Sequence, residues 1–173
     1  MNNKHGFTLV ELIIVITLIA VVAVIATPNV INMVDNGRKE QILTDAKNFL
    51  DDVKYKISLN TYQAYFPQND GECKEICANS ALFGKDLDKD YNGNNYDKNE
   101  SCVKVLLSDG KYYYYIKLAS QKNDNTYSKG ISTSNSKISY VSETDLSLNH
   151  VVSYNGFSKD YEEETACTPI IVE

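Results

Sequence analysis

Arginine is nearly absent from this sequence of 173 residues, and histidine occurs twice. Arg38 is the only arginine, so the chain lacks the guanidinium groups of a bidentate phosphate clamp. Lysine and arginine number 17 against 23 acidic residues, and this net charge of -6 argues against a nucleic-acid-binding surface. The length fits one domain with an appendage. A hydrophobic fraction of 43% excludes a wholly disordered chain.

Groups that support catalysis are also few. Beyond the first six residues, His150 is the only histidine, and it lies beside a predicted strand, where a structural role is commoner than a catalytic one. The sequence has no Gly-rich phosphate loop and no metal-binding pair of histidines. The acidic run at 162–164 is typical of a solvated surface. The sequence therefore predicts a protein that is not an enzyme, and an enzyme anchored to a membrane is the alternative.

One strongly apolar segment covers residues 7–27, and no second segment of this kind follows. Of its 21 residues, 17 are apolar. As a helix it would be about 31 Å long, enough to cross the hydrocarbon of a bilayer. Two ordinary interpretations are a signal-anchor helix and a secretory signal peptide cut after Ala26. In either case the rest of the chain would be an anchored or secreted binding domain.

Glu11 is the one charged residue of this segment. A carboxylate costs about 3 kcal/mol at the bilayer centre and less near the interface, so it must reach the headgroups or meet a positive charge. Cleavage between Gly6 and Phe7 would create such a charge, the terminal amine of Phe7, on another copy of the chain. Opposite charges in an apolar environment attract strongly and can specify register.

The start of the chain combines a glycine, a phenylalanine, a glutamate and a long apolar run, in Lys4-His5-Gly6-Phe7-Thr8-Leu9-Val10-Glu11-Leu12. This segment resembles the processing motif of type IV prepilins. The resemblance implies a leader at residues 1–6, cut after Gly6 by a prepilin peptidase that also N-methylates Phe7. Pro28 matches a proline that recurs in the helices of that family, and Ala20 stands where many relatives have glycine. The resemblance covers about the first 30 residues.

The same resemblance implies a function. The chain is expected to be a structural subunit of a type IV pilus, a filament used in adhesion, motility or related tasks. It would wait in the cytoplasmic membrane as a single-pass protein, until an assembly platform and its motor add it to a helical filament of identical copies outside the cell. Phe7, Glu11 and Pro28 are the expected assembly residues. A minor or tip pilin, and a pseudopilin of a secretion or DNA-uptake system, are the alternatives.

Beyond the apolar segment the helical pattern continues. Apolar residues recur at helical spacing at Ile42, Ala46, Phe49, Val53 and Ile57. We predict one long helix from Phe7 to about Asn60, whose segment 28–60 is amphipathic and packs its apolar stripe on a sheet. Pro28 should kink this helix, and Gly37 is the position at which it could end earlier.

Residues 61–173 are predicted to form a globular head with a loop at 61–101 and a sheet at 102–173. Two apolar runs flank Asp109-Gly110, which favours a type I′ hairpin turn. That turn sets three pairs on one face of the sheet, namely Leu107 with Tyr112, Val105 with Tyr114 and Val103 with Ile116.

Shorter strands are predicted at 138–141, 151–154 and 170–172, and residues 119–136 are predicted to be an exposed loop. The predicted fold class is α+β. A long N-terminal helix, half of it transmembrane, packs on an antiparallel sheet of about four or five strands, as in the type IV pilin fold that the resemblance implies.

Four cysteines, Cys73, Cys77, Cys102 and Cys167, allow three disulfide pairings. An oxidising location outside the membrane makes disulfides the default. We prefer Cys73 with Cys77 and Cys102 with Cys167, and the second bond would stabilise the fold by about 4 kcal/mol. The resembled family also has a C-terminal region bounded by a disulfide. The cysteine spacings do not resemble those of a zinc module.

An acidic loop gives the one cofactor hypothesis. Its acids and amides match the first half of a calcium-binding loop of the EF-hand type, at Asp86, Asp88, Asp90 and Asn92. The closing acid falls one position late, at Glu100, and Asp97 is a further possible oxygen ligand. A solvated loop that binds no cofactor is therefore preferred, and calcium is the alternative.

Overall fold

The computed structural model describes residues 7–80, 87, 89–123, 126–154 and 168–169. At residues 25–29, 60 and 168–169 it describes the main chain alone. The chain divides into two compact units, Met1–Gly37 and Arg38–Glu173, which are treated separately below.

Helix α1 extends over Leu9–Ser58, close to the predicted bounds. Its main chain is helical at Pro28 and at Gly37, so the earlier end considered at Gly37 is wrong. The helix ends at Ser58, since Leu59 adopts extended dihedrals of φ −87° and ψ 121°. A 3₁₀ helix follows at Asn60–Tyr65. In the second unit the predicted stripe is confirmed as the buried face of α1, together with Leu50.

The sheet of the second unit contains seven strands among the described residues. They are β1 (Cys73–Cys77), β2 (Cys102–Ser108), β3 (Lys111–Asn123), β4 (Thr126–Ile131), β5 (Val141–Ser142), β6 (Val151–Ser153) and β7 (Thr168–Pro169). The strand order is β6-β4-β3-β2-β1-β7, and β5 pairs with β3. All pairs are antiparallel except β1 with β7. The predicted class, α+β with a long N-terminal helix and an antiparallel sheet, is confirmed.

The β2–β3 hairpin has the predicted turn and register. Asp109 and Gly110 have φ values of 52° and 70°, as a type I′ turn requires. The three predicted pairs face one another, and Val103, Val105 and Ile116 are fully buried among the stripe residues of α1. The hairpin therefore supplies the surface on which the helix packs within this unit.

The opposite face of the hairpin carries lysines and tyrosines. Tyr140 lies across it, with the Lys104 and Lys117 ammonium groups 5.9 and 4.9 Å from the centre of its ring. The Tyr140 hydroxyl donates a hydrogen bond to Glu75, whose carboxylate also pairs with Lys117 at 3.3 Å. These contacts tie the segment before β5 to the sheet.

Three predictions about the strands need correction. Strand β1 lies inside the segment 61–101, which was predicted as loop. The strand was missed because Ile76 is its only fully buried apolar side chain, so that its sequence has no apolar period. Strand β4 and the end of β3 lie inside 119–136, also predicted as loop. Of the strand predicted at 138–141, only Val141 is in a strand. The strand predicted at 151–154 is confirmed as β6, and residues 170–172 lie outside the described residues.

Both preferred disulfide pairings are wrong. The structure joins Cys77 to Cys102, which face each other directly across β1 and β2. Cys73 is disulfide-bonded as well, and Cys167 lies outside the described residues. The physical reason is that β1 is extended, which places Cys73 and Cys77 about 13 Å apart, too far for a disulfide.

Candidate functional site at the N-terminal helix

The first unit exposes an unusually large apolar surface. Phe7 is 84% exposed, and the large apolar side chains described along α1 up to Val34 are all about half exposed or more. They are Leu9, Val10, Leu12, Ile13, Ile14, Val15, Ile16, Leu18, Ile19, Val21, Val22, Val24, Val30, Ile31, Met33 and Val34. Helices that are apolar on all sides are normally buried in lipid or among other helices. This segment therefore needs a partner or a bilayer.

In the part of the chain that the structure describes, no helix is both long and apolar enough to cross a membrane. The membrane span assigned to residues 7–27 stays a prediction from the sequence.

Thr8 and Glu11 form a reciprocal capping arrangement at the start of α1. The Thr8 hydroxyl oxygen accepts a hydrogen bond from the Glu11 main-chain N–H at 3.2 Å. In return, Glu11 Oε2 accepts bonds from the Thr8 main-chain N–H and from its hydroxyl, each at 2.8 Å. The first helical hydrogen bond, from the Leu12 main-chain N–H to the Thr8 main-chain oxygen, is 3.2 Å long. This pattern is a capping box, with Thr8 as the N-cap and Glu11 three residues later.

The capping box has two consequences for the predicted site. Phe7 precedes the helix and is not helical, so the predicted cleavage position lies next to a residue outside the helix. Glu11 uses Oε2 for both bonds from Thr8, and no hydrogen bond to Oε1 is found among the described residues. Thr8 was not among the residues predicted from the sequence, although the Thr-x-x-Glu spacing signals this arrangement.

The predicted assembly residues are placed as follows. Phe7 and Glu11 lie within one turn of each other at the start of the helix. Pro28 lies 17 residues beyond Glu11, about 25 Å along a regular helix, so it belongs to a different part of the helix. Gly6 lies outside the described residues.

The acidic loop is only partly described. Asp86 and Asp88 lie outside the described residues, and Asn92 is exposed. Asp90 is 3% exposed, and its carboxylate accepts four hydrogen bonds. Oδ1 receives the N–H groups of Asn92 and Asn94, each at 2.9 Å, while Oδ2 receives the Asn94 amide at 3.1 Å and the Ser120 hydroxyl at 2.7 Å.

Asp97 has a similar structural role, which the sequence did not indicate. Its Oδ1 accepts the N–H groups of Asn99 and Glu100 at 2.9 and 3.3 Å. Its Oδ2 accepts the Gln121 amide at 2.7 Å and the Tyr127 hydroxyl at 3.2 Å. Both buried aspartates therefore hold the loop before β2 against β3 and β4.

Potential metal-ligating atoms converge at one place among the described residues, where Glu75, Cys77 and Cys102 meet. The two sulfur atoms are joined in a disulfide and offer no thiolate. His150 ends a short 3₁₀ helix, and its Nδ1 lies 3.3 Å from the Ser147 hydroxyl. Neither arrangement indicates a catalytic centre.

Comparison with known proteins bears on the start of the chain. Residues 1–27 match the family model described as the prokaryotic N-terminal methylation motif, which is the class III signal peptide motif of type IV pilins. No curated protein and no solved structure matches the chain. The resemblance noted in the sequence is therefore confirmed. The motif indicates a structural protein of the type IV pilin or pseudopilin kind, and it implies processing by prepilin peptidase, a membrane-anchored precursor and a surface pilus.

Proposed function

We propose that this chain is a structural subunit of a type IV pilus, which polymerises through its N-terminal helix after residues 1–6 have been removed. The observation that carries the proposal is the coincidence of a methylation motif with a helix whose apolar side chains are exposed on all sides. A precursor anchored in the cytoplasmic membrane would cover this surface with lipid. A filament would cover it with the same helices of neighbouring copies.

Glu11 supplies the specificity that apolar packing cannot. A helix that leaves lipid for a bundle of similar helices gains little hydrophobic free energy, because both surroundings are apolar. An ion pair between the Glu11 carboxylate and the methylated amine of Phe7 on a neighbouring copy would be strong there, and it would select one register. Oε1 of Glu11 receives no hydrogen bond among the described residues, so it is the oxygen available for that pair.

The second unit is suited to exposure on a filament surface. It has its own core, formed by the α1 stripe and the β2–β3 hairpin, and a disulfide between Cys77 and Cys102. In the chain-entropy model, a bond that joins residues 25 positions apart stabilises the fold by about 3.5 kcal/mol. Such a bond suits a protein that works outside the cell.

Mass spectrometry of filaments sheared from the cell surface tests the proposal. We expect an N-terminal peptide that begins at N-methylated Phe7. A mature chain that begins at Thr27, or one that occurs only free in the medium, would contradict it. The abundance of the chain in the filaments separates a bulk subunit from a minor or tip pilin, and its absence from them combined with a periplasmic or membrane-bound assembly would favour a pseudopilin.

Mutation of Glu11 provides a second test. Glu11→Ala should lower filament yield strongly and leave folding and membrane insertion intact. Glu40→Ala is the matched control, because Glu40 is an exposed acid on the same helix outside the apolar segment. Normal filament yield from Glu11→Ala would remove Glu11 from the mechanism.

A further inference from the structure

The sequence contains three Asn-Gly pairs, and the two that the structure describes lie in different surroundings. Asn36 and Gly37 lie within α1. Asn92 and Gly93 lie in an exposed turn before β2, and the third pair, at 155–156, lies outside the described residues. Such pairs are chemically reactive, because a glycine has no side chain to hinder the approach of its nitrogen to the preceding asparagine.

The turn leaves the side chain of Asn92 unrestrained by hydrogen bonds. Its amide has no hydrogen-bond partner among the described residues, whereas its main-chain N–H donates to Asp90 Oδ1 at 2.9 Å. Gly93 has a φ of 80°, a value that favours glycine, so the turn itself calls for this residue. The Gly93 N–H donates to the Asp90 main-chain oxygen at 2.8 Å. This one exposed bond must open before the Gly93 nitrogen can react.

We propose that Asn92 is a site of spontaneous deamidation in the folded protein. The Gly93 main-chain nitrogen attacks Cγ of the Asn92 side chain, and a bond forms between these two atoms. The bond from Cγ to the side-chain nitrogen breaks, the proton of the attacking nitrogen passes through water to the leaving nitrogen, and ammonia is released. Water then opens the succinimide ring at one of its two carbonyl groups, which gives aspartate or isoaspartate.

The pair in α1 is protected by the regular helix. Ring closure requires a rotation of the asparagine main chain away from the ψ of an α-helix. At Asn36 that rotation breaks helical hydrogen bonds, so the helix must first open locally. The same chemistry should therefore be slow at Asn36, although Gly37 follows it.

Asn94 belongs to the same loop as Asn92 but differs in two respects. Its side-chain amide donates a hydrogen bond to Asp90 Oδ2 at 3.1 Å, which holds the reacting group. The next residue is Asn95, whose side chain hinders the approach of the main-chain nitrogen. Asn94 should therefore react more slowly than Asn92.

The modification changes the loop that Asp90 holds. Either product places a new carboxylate close in sequence to the buried carboxylate of Asp90. Isoaspartate also lengthens the main chain between the N–H groups of Asn92 and Asn94, both of which donate to Asp90 Oδ1 at 2.9 Å. The two bonds cannot then keep their present positions, so the modified loop should be less stable.

The test uses the full chain, purified in detergent and kept at mildly alkaline pH, then digested with trypsin at intervals. Peptide 90–98 contains Asn92 and Asn94, and the peptide that ends at Arg38 contains Asn36. Deamidation raises the mass of a peptide by about 1 Da, and fragmentation identifies the residue that has changed. A sample of peptide 90–98 released before the incubation gives the rate without the folded structure.

In the folded chain we expect Asn92 to deamidate about tenfold faster than Asn36, because only the helix must open first. Asn92 should also react faster than Asn94, and within about tenfold of its rate in the free peptide. Asn92→Gln is the control variant and should remove the rapid product from peptide 90–98. A rate at Asn92 no higher than that at Asn36 or Asn94, or one far below that of the free peptide, would overturn the proposal.

Discussion

The hydroxyl of Tyr154 donates a hydrogen bond to the main-chain oxygen of Leu118 at 3.1 Å, and Gly130 leaves the space in which the two groups meet. A Cβ atom at residue 130 would lie 1.8 Å from the Leu118 oxygen and 3.0 Å from a ring carbon of Tyr154. Gly130 pairs with Ala119 of β3 and with Val152 of β6. Glycine is needed here because main chain and ring approach closely, as is common for glycine within a strand.

The first prediction concerns this contact. Gly130→Ala should lower the free energy of unfolding by about 3 kcal/mol, because the strand must move away from β3 to make room for the methyl group. Urea unfolding of the full chain in detergent, followed by the tyrosine signal of the second unit, measures the loss.

Gly37→Ala is the control for Gly130→Ala. A Cβ atom at residue 37 meets nothing within 4 Å, and the position lies inside a helix, where alanine is favoured by about 1 kcal/mol. The stability should therefore stay the same or rise. A Gly130→Ala protein as stable as the Gly37→Ala protein would contradict the close approach of β3 and β4.

The contrast between the β2–β3 hairpin and β4 explains what the sequence could predict. The hairpin follows from local information, since Asp109 and Gly110 fix a turn whose geometry determines the register of both neighbouring strands. Strand β4 does not, because its glycine is accounted for only by Leu118 and Tyr154, which are distant in sequence. Strand β4 is rich in polar side chains, which predict a loop when those neighbours are unknown.

The features of the N-terminal segment could likewise be predicted from the sequence only in part. The cleavage position, Glu11 and the apolar run are local features of the sequence, and the resemblance to the prepilin motif that they carry is confirmed by the methylation motif at residues 1–27. The capping bonds between Thr8 and Glu11 are local as well, since the Thr-x-x-Glu spacing predicts them, although Thr8 was not among the predicted residues. Disulfide pairing was not predictable, because it depends on β1, a strand without an apolar period.

The second prediction concerns the disulfides. Proteolysis after Lys74 separates Cys73 from Cys77, so peptide mapping without reduction can distinguish the three pairings. We expect one disulfide-linked product that joins the peptides of Cys77 and Cys102. Cys73 should then be linked to Cys167, the remaining cysteine of the chain.

The disulfide between β1 and β2 should also contribute to stability. The double substitution Cys77→Ala and Cys102→Ala is expected to lower the free energy of unfolding by about 3 kcal/mol, through the greater freedom of the unfolded chain. A peptide that contains Cys102 linked to Cys167 would contradict the register of β1 with β2.

The third prediction concerns Asp90 and calcium. Because four hydrogen bonds already occupy the carboxylate, an ion could bind only by displacing donors from the protein. We therefore expect calorimetry to detect no calcium binding at millimolar concentration. Asp90→Ala should instead lower the free energy of unfolding by about 3 kcal/mol, since it leaves buried donors unsatisfied.

Asp52→Ala is the control for Asp90→Ala. Asp52 is an exposed acid on α1, and its removal should change the stability little. Calcium binding that Asp90→Ala abolishes and Asp52→Ala preserves would overturn this prediction and restore the acidic loop as a metal site.

The fourth prediction concerns alkaline pH. Burial, followed by the charge of Glu143 and the neighbouring Tyr112, raises the pKa of Tyr114 to about 12, and burial also raises the pKa of Tyr154. Tyrosines of the unfolded chain ionise near pH 10. Below about pH 10 both states keep the proton, and the stability that these groups contribute is fully present. As the pH rises from about 10 towards 12, the unfolded chain loses protons first, so the folded state loses stability.

Tyr114→Phe separates this effect from others, because it removes one phenol with a raised pKa and retains the ring. The variant should lose less stability than the wild type between about pH 10 and pH 12, while the two proteins differ little at pH 7. Tyr55→Phe is the matched control, since Tyr55 is 62% exposed on α1 and its variant should follow the wild-type curve. Identical alkaline curves for Tyr114→Phe and the wild type would mean that Tyr114 gives up its proton as readily in the folded protein as in the unfolded chain. The packing of its ring on the core of the second unit would then need revision.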